Sequence, residues 1–133
     1  MSKPIAFPYK VYKNYPCPII KLALYGEKNW FETEAYVDSG ASFSLFSITE
    51  AQRIGINYMR GRKTLSMVGD GSLIPVYLHR LPVRIGSKDF RAAIGFSPRL
   101  GTGFNLLGRR DFFTHFDITF SDATRTIFFL PRK

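Results

Sequence analysis

Cysteine occurs once in this 133-residue chain, at Cys17, and histidine twice, at His79 and His115. One thiol cannot close an internal disulfide, and one thiol with two imidazoles cannot assemble an ordinary structural zinc site, so no metal or redox chemistry is expected. No window approaches the roughly 18 apolar residues of a membrane helix, and the opening MSKPIAFPYK lacks the apolar run of a signal peptide. These absences predict a soluble, cytoplasmic protein with no membrane partner. Repeats, Gly/Ser tracts and low-complexity stretches are also missing, so residues 1–133 are expected to form a single domain.

Acidic residues are scarce too: ten Asp and Glu stand against nineteen Lys and Arg, a formal charge of +9. Such an excess suits a nucleic acid or an acidic surface. The cations are scattered from Lys3 to Lys133, however, and the only tight group is Arg60, Arg62 and Lys63. That spread reads as a solvated basic surface, and nucleic acid is an unlikely partner. Aromatic residues are plentiful, with 13 Phe and 7 Tyr, and supply a substantial core.

Turn signals every 8 to 15 residues or so indicate a mainly β chain. Ile19 to Tyr25 and Trp30 to Val37 flank Gly26-Glu27-Lys28-Asn29 as a hairpin, with Phe31, Thr33, Ala35 and Val37 on one face. Ser47-Ile48-Thr49-Glu50 is a capping box that opens a short helix, which Gly55 ends. Lys63 to Val68 and Leu73 to Leu78 form a hairpin tipped by Gly69-Asp70-Gly71. Leu81 to Ile85 and Phe90 to Phe96 form another, and a Pro/Gly-rich stretch, Ser97 to Gly103, follows. Phe104 to Leu107 is a short strand, Gly108 to Phe113 a second short helix, and Phe116 to Phe120 with Thr126 to Leu130 a final hairpin. Together these elements predict a closed or nearly closed β-structure with two short helices.

The chemical signal is Ala35-Tyr36-Val37-Asp38-Ser39-Gly40-Ala41-Ser42, an apolar strand that ends in Asp-Ser-Gly. A carboxylate where a buried strand meets a glycine turn is partly desolvated yet reachable. Alone, the tripeptide reads equally as a simple turn. About seventy residues later comes Leu106-Leu107-Gly108-Arg109, and between the two lies the glycine-tipped hairpin Met67-Val68-Gly69-Asp70-Gly71.

Three such elements in this order resemble the retropepsin-like aspartic protease family, over roughly residues 18 to 120. The resemblance implies a closed β-barrel with a hairpin flap and no cofactor. It implies that Asp38 is catalytic, with Ser39 bridging two active-site loops and Gly40 presenting its carbonyl to substrate. Ala41 and Ser42, with the flap residues Met67, Val68, Gly69, Asp70 and Gly71, would contact the substrate, and Leu107, Gly108 and Arg109 would support the loop. Enzymes of this type need two carboxylates that share a proton. This chain has one D-[ST]-G, so a homodimer acting on a peptide or protein substrate is expected, with a catalytically silent peptide-binding dimer as the alternative reading. Two departures stand out. Ser42 replaces the Asp that pairs with the Gly-Arg arginine in retroviral members, which leaves Arg109 without an assigned partner, and the segment Ile118 to Pro131 is longer than the viral dimer strand.

Other residues carry weaker signals. His115 is expected at a helix end or in the core, Cys17 as an inert thiol between two prolines, and the phenylalanines of the C-terminal third as core or dimer contacts before a base-stacking platform.

Overall fold

The computed structural model describes residues 3–101 and 103–133. Its elements in chain order are β1 (Ile5–Pro8), β2 (Lys10–Tyr12), β3 (Tyr15–Cys17), β4 (Ile19–Tyr25), β5 (Trp30–Val37), β6 (Ser44–Ser47), α1 (Ile48–Arg53), a 3-10 turn (Tyr58–Arg60), β7 (Arg62–Met67), β8 (Leu73–Ile85), β9 (Lys88–Ser97), β10 (Asn105–Leu107), β11 (Phe116–Ser121) and β12 (Thr126–Pro131).

Alternation decides which strands curve into a barrel. On β5, Thr33, Ala35 and Val37 are buried while their neighbours are not, and β8 alternates the same way through Leu81, Val83 and Ile85. Strands with one apolar face must close that face against others. Here they pair in the order β4-β5-β10-β6-β9-β8, with β7 outside β8. β8 also pairs with β4 at Ala23↔Arg84 and Leu24↔Val83, which closes the ring. The structure is therefore a closed, mainly β barrel, as the spacing of turn signals predicts.

Its interior is filled by Leu22, Leu24, Phe46, Ile94, Phe96 and Leu107, and one end is plugged by Phe112, Phe116 and Phe129. Phe116 meets Phe129 edge-on at 5.2 Å and Phe90 at 5.6 Å, so these phenylalanines are core. A separate three-stranded sheet, β1-β12-β11, joins the chain's two ends, and β2-β3 forms a small hairpin beside it.

Half of the capping box forms: the Glu50 amide donates to Ser47 Oγ at 3.3 Å and opens α1, but the Ser47 amide donates to Asn105 Oδ1 at 3.2 Å and not to the Glu50 carboxylate. The Glu50 side chain turns outward from the helix, accepts from Thr33 Oγ1 and pairs with Arg53. Burial pushes its pKa up, but the hydrogen bonds from Arg53 and Thr33 outweigh that and hold it below the usual glutamate value.

Three expectations are corrected. Residues 108–113 belong to a run of turns and not to a regular helix. Asp111 sits at φ +66°, a left-handed conformation that a helix excludes, and its carboxylate accepts from the Ala93 amide at 2.8 Å. The second short helix is instead the 3-10 turn at Tyr58–Arg60. Lastly, the segments on either side of His79 form one 13-residue strand, β8, despite Pro75 and Pro82 within it. The Pro/Gly-rich stretch begins at the end of β9, and its Thr102 lies outside the described residues.

Candidate active site

β10 runs between β5 and β6, parallel to the first (Leu107↔Val37) and antiparallel to the second (Leu106↔Leu45). The segment that joins β5 to β6, residues 38–43, must therefore cross the end of β10, and it carries the Asp-Ser-Gly turn. The Asp38 amide donates to the Leu107 carbonyl at 2.9 Å, which extends the β5–β10 ladder by one residue and fixes where the carboxylate begins. Its Oδ1 accepts from the Gly40 amide at 2.9 Å, and the Ala41 amide donates to its carbonyl at 3.1 Å. Both bonds hold the side chain in a tight local turn.

The chain beyond β10 then packs against this loop. The Arg109 and Arg110 amides donate to the carbonyls of Ala41 and Ser42, each at 2.9 Å, and the Gly108 amide donates to the buried Ser44 Oγ at 2.9 Å. Gly108 is the contact point. A Cβ there would lie 2.4 Å from the Phe43 carbonyl oxygen and 2.9 Å from that of Ala41, so no other residue fits without moving backbone. The Arg109 partner that the sequence leaves open is the loop itself: its guanidinium donates to the Ser39 carbonyl at 3.3 Å and lies over the Phe113 ring at 5.1 Å. Arg110 covers the Phe43 ring at 5.3 Å.

Asp38 is half-buried, and Ser39, Gly40 and Ser42 are exposed. Asp38 and Ser39 line a groove of about 590 Å³ whose other walls include Tyr9, Tyr15, Tyr36, Phe120, Asp122 and Arg125. This wall was not legible in the sequence, because it is assembled from the chain's two ends. Two of its phenols, Tyr36 and Tyr9, are shifted upward. Tyr36 is raised by burial and by the nearby Cys17, Asp38 and Asp122, and Tyr9 is pushed up to about 12 by burial and by the hydrogen bond from its hydroxyl to Asp122 Oδ1 at 2.8 Å. Tyr36 is itself braced by stacking on Phe104 at 4.9 Å.

β7 and β8 pair from Arg62↔Leu78 to Met67↔Leu73, and the hairpin tip is closed by Val68 and Ser72. Asp70 Oδ1 accepts from both the amide and the hydroxyl of Ser72, which holds its carboxyl below the usual aspartate value, and Gly71 takes φ +85°. Val68 packs against the buried cluster of Leu45, Ile74 and Val76, and Phe43, from the segment that follows Asp38, packs against the same cluster. Met67 is 70% exposed, and Gly69, Asp70 and Gly71 are open to solvent.

Elsewhere, His115 stacks on Phe90 at 4.5 Å and its Nδ1 donates to the Asp111 carbonyl at 2.7 Å, and Cys17 Sγ reaches only the Tyr15 carbonyl at 3.5 Å. Among the described residues no three His, Cys, Asp or Glu side chains stand close enough to hold a metal ion. Among the described residues no helix is long and apolar enough to cross a membrane.

No family model and no curated protein matches the chain. Solved structures do. A retropepsin-like aspartic protease from Rickettsia conorii superposes with a TM-score of 0.71 at 17% identity, over 98% of this chain and 94% of that one. The EIAV protease, solved in complex with the inhibitor HBY-793, superposes with a TM-score of 0.55 at 16% identity, over 74% of this chain and 86% of that one. These likenesses are of the whole fold: the chain has the retropepsin-like aspartic protease fold.

Proposed function

We propose that the protein is an aspartic endopeptidase whose site is completed by a second copy of the chain, residues 1–133 forming one half. The observation that carries this reading is the placement of Asp38. Its carboxylate stands on a loop pinned from behind by β10 and Gly108, half-buried, with one side open to the groove. One carboxylate cannot both accept a proton from water and donate one to the scissile carbonyl. Two at about 3 Å can, because like charges that close do not both ionise and one proton is shared. Water adds to the peptide carbonyl as the ionised carboxylate takes its proton. The protonated partner donates to the carbonyl oxygen; the carboxyl that took water's proton then gives it to the amide nitrogen, the other carboxylate takes a proton from the gem-diol, and the C–N bond breaks to release amine and carboxyl products with one proton again on the pair.

The remaining roles follow from position. Ser39, exposed beside Asp38, bridges to the partner's loop. Gly40 presents its carbonyl to an extended substrate, whose flanks meet Ala41 and Ser42. Met67, Val68, Gly69, Asp70 and Gly71 fold over the substrate and exclude water. Leu107, Gly108 and Arg109 hold the loop in place, Arg109 through the Ser39 carbonyl.

The test is a peptide-library digest with wild type and Asp38→Asn. Loss of cleavage by roughly 10²- to 10⁴-fold with unchanged folding is expected, and equal cleavage would overturn the assignment. Because only the pair that holds one shared proton can act as both acid and base, rate against pH is expected to be bell-shaped. A rate that climbs to about pH 9 would point instead to a thiol or hydroxyl nucleophile.

A further inference from the structure

We infer that the outer face of β7, β8 and β9 binds an extended acidic polypeptide segment through a row of arginines, Arg62, Arg80 and Arg91, with Arg110 beside it. Where that segment belongs to a substrate, the inference rests on the endopeptidase reading above and names the class of substrate taken.

These cations are far apart in the sequence, where only Arg60, Arg62 and Lys63 stand close together. The sheet register gathers them. Arg62 of β7 is opposite Leu78 of β8, and Arg80, two residues on, shares the face of Leu78. Arg80 is opposite Ala93 of β9, and Arg91, opposite Pro82, shares the face of Ala93. Each step from strand to strand thus moves two residues in the same direction along β8. The three arginines form one diagonal row, with neighbours about 7–8 Å apart. It lies on the outer face, because Leu81 and Val83, which alternate with Arg80 and Pro82, point into the core, and all three arginines are exposed.

The face carries few carboxylates to neutralise them. Asp89 holds Arg84 through both oxygens, at 2.7 and 2.9 Å, so that pair adds no net charge. Asp111 accepts from the Ala93 amide, and Arg80 stands 3.6 Å from it, farther than a charge-assisted hydrogen bond reaches. Arg91 donates to the Arg80 carbonyl at 3.3 Å, which sets its head over the row. Arg110, next to Asp111, is exposed above the Phe43 ring. Among the described residues Arg62, Arg91 and Arg110 pair with no carboxylate. The four arginines set against Asp111 leave an excess of three positive charges.

Spacing selects the partner. An extended chain presents every second side chain on one face, about 6.6–6.8 Å apart. Alternating Glu or Asp therefore brings one carboxylate to each arginine of the row, and the guanidinium fork takes a carboxylate through two bonds. A nucleic acid also supplies anions, but Leu78, Pro82, Ala93 and Gly95, which lie among the arginines, offer no ring on which a base could stack. The row also adjoins the candidate site, since the Arg110 amide donates to the carbonyl of Ser42, on the Asp38 loop. An acidic stretch held here raises the local concentration, at that loop, of the chain it belongs to.

Fluorescence anisotropy on the full chain carrying Asp38→Asn, which leaves the probes uncut, tests this. The labelled probes are an alternating Glu-Ser peptide, a Glu-Ser-Ser repeat with the same number of glutamates, and an oligothymidylate of equal charge. The alternating peptide is expected to bind about fivefold tighter than the Glu-Ser-Ser repeat, whose successive glutamates fall on opposite faces. Adding Arg62→Glu with Arg91→Glu is expected to weaken its binding about tenfold or more, whereas Lys63→Glu, the same charge change on the opposite face of β7, changes it by less than about twofold. Should the charge reversals unfold the chain, Arg62→Gln with Arg91→Gln carries the same comparison. Equal binding of the two peptides, tighter binding of the oligothymidylate, or an effect of Lys63→Glu as large as that of the double variant would overturn the inference. A digest with wild type separates it from the reading it rests on. A hydrophobic peptide extended by alternating Glu-Ser is expected to show a lower KM than one extended by Gln-Ser, with kcat unchanged, and the double variant is expected to lose that difference. If the acidic probe binds but wild type cleaves nothing, the acidic-segment face stands and the endopeptidase reading falls. If wild type cleaves and the probe does not bind, the reverse holds.

Discussion

The Asp38 loop and the tip of the β7–β8 hairpin are both glycine-containing turns between strands, and they are held in opposite ways. The loop is tied to chain that lies seventy residues away in sequence, through Leu107, Gly108, Arg109 and Arg110. The hydrogen bonds of the tip are local: the Val68 amide donates to the Ser72 carbonyl, the Gly71 amide donates to the Val68 carbonyl, and Asp70 accepts from Ser72. A Cβ on Gly108 would strike backbone at 2.4 Å, whereas one on Gly69 or Gly71 would meet nothing within 4 Å. Gly108 is glycine for lack of space, and Gly71 for its φ of +85°. Under the proposed function, chemistry that requires fixed atoms would use the crowded loop, and a cover that must open would use the open tip.

Breaking the rigid side should have the largest effect. Gly108→Ala forces the segment after β10 away from the loop and is expected to destabilise the protein by about 2–3 kcal/mol, read as a shifted denaturant midpoint with loss of cleavage. A melting curve like that of wild type would mean that the close approach relaxes freely. Next, Ser44→Ala strands the Gly108 amide without its acceptor in a buried position, at a cost of about 1–2 kcal/mol. Its signature is a smaller stability loss by chemical denaturation, with cleavage reduced and not abolished.

The hairpin tip should behave in the reverse manner. Gly71→Val puts a β-branched residue at positive φ on a turn that has to move, and kcat/KM is expected to fall by about tenfold with little change in Tm. Equal activity would mark the hairpin tip as an ordinary surface turn. The smallest effect belongs to Asp70. Its folded-state pKa is depressed, so its contribution to the tip is complete above the ordinary aspartate value of about 3.9 and is lost as pH falls through the lower folded value. Asp70→Ala should therefore leave Tm unchanged and speed amide exchange at residues 68–72 near neutral pH. Identical exchange in both proteins would remove the carboxylate from the account.

What could be read in the sequence follows the same division. Local signals were sufficient for the hairpins, because alternation and turn residues lie next to each other in the chain, and for the start of α1, where Ser47 and Glu50 form one motif. Asp38 was legible as a candidate because its strand and turn are contiguous. What failed was whatever depends on distant chain. β1, β2 and β3 are three or four residues long and interrupted by Pro8 and Pro16, and only their pairing makes them strands. β6 escaped notice because Ser44-Leu45-Phe46-Ser47 is buried between β10 and β9 and so does not alternate. The run after Gly108 looked helical, but the bond from Asp111 to the Ala93 amide fixes it as turns. The groove wall of Tyr9, Phe120 and Asp122 joins the two ends of the chain, which no local window contains.

In the proposed dimer each site requires two Asp38 residues from separate chains, and subunit mixing separates this from a site complete within one chain. Wild type and Asp38→Asn are unfolded together, refolded at fixed total protein in varied ratio, and assayed on one peptide. The account predicts activity that follows the square of the wild-type fraction, so an equal mixture retains about one quarter of the rate. A linear dependence, with about one half retained in the equal mixture, would mean that one chain carries a complete site and would contradict it.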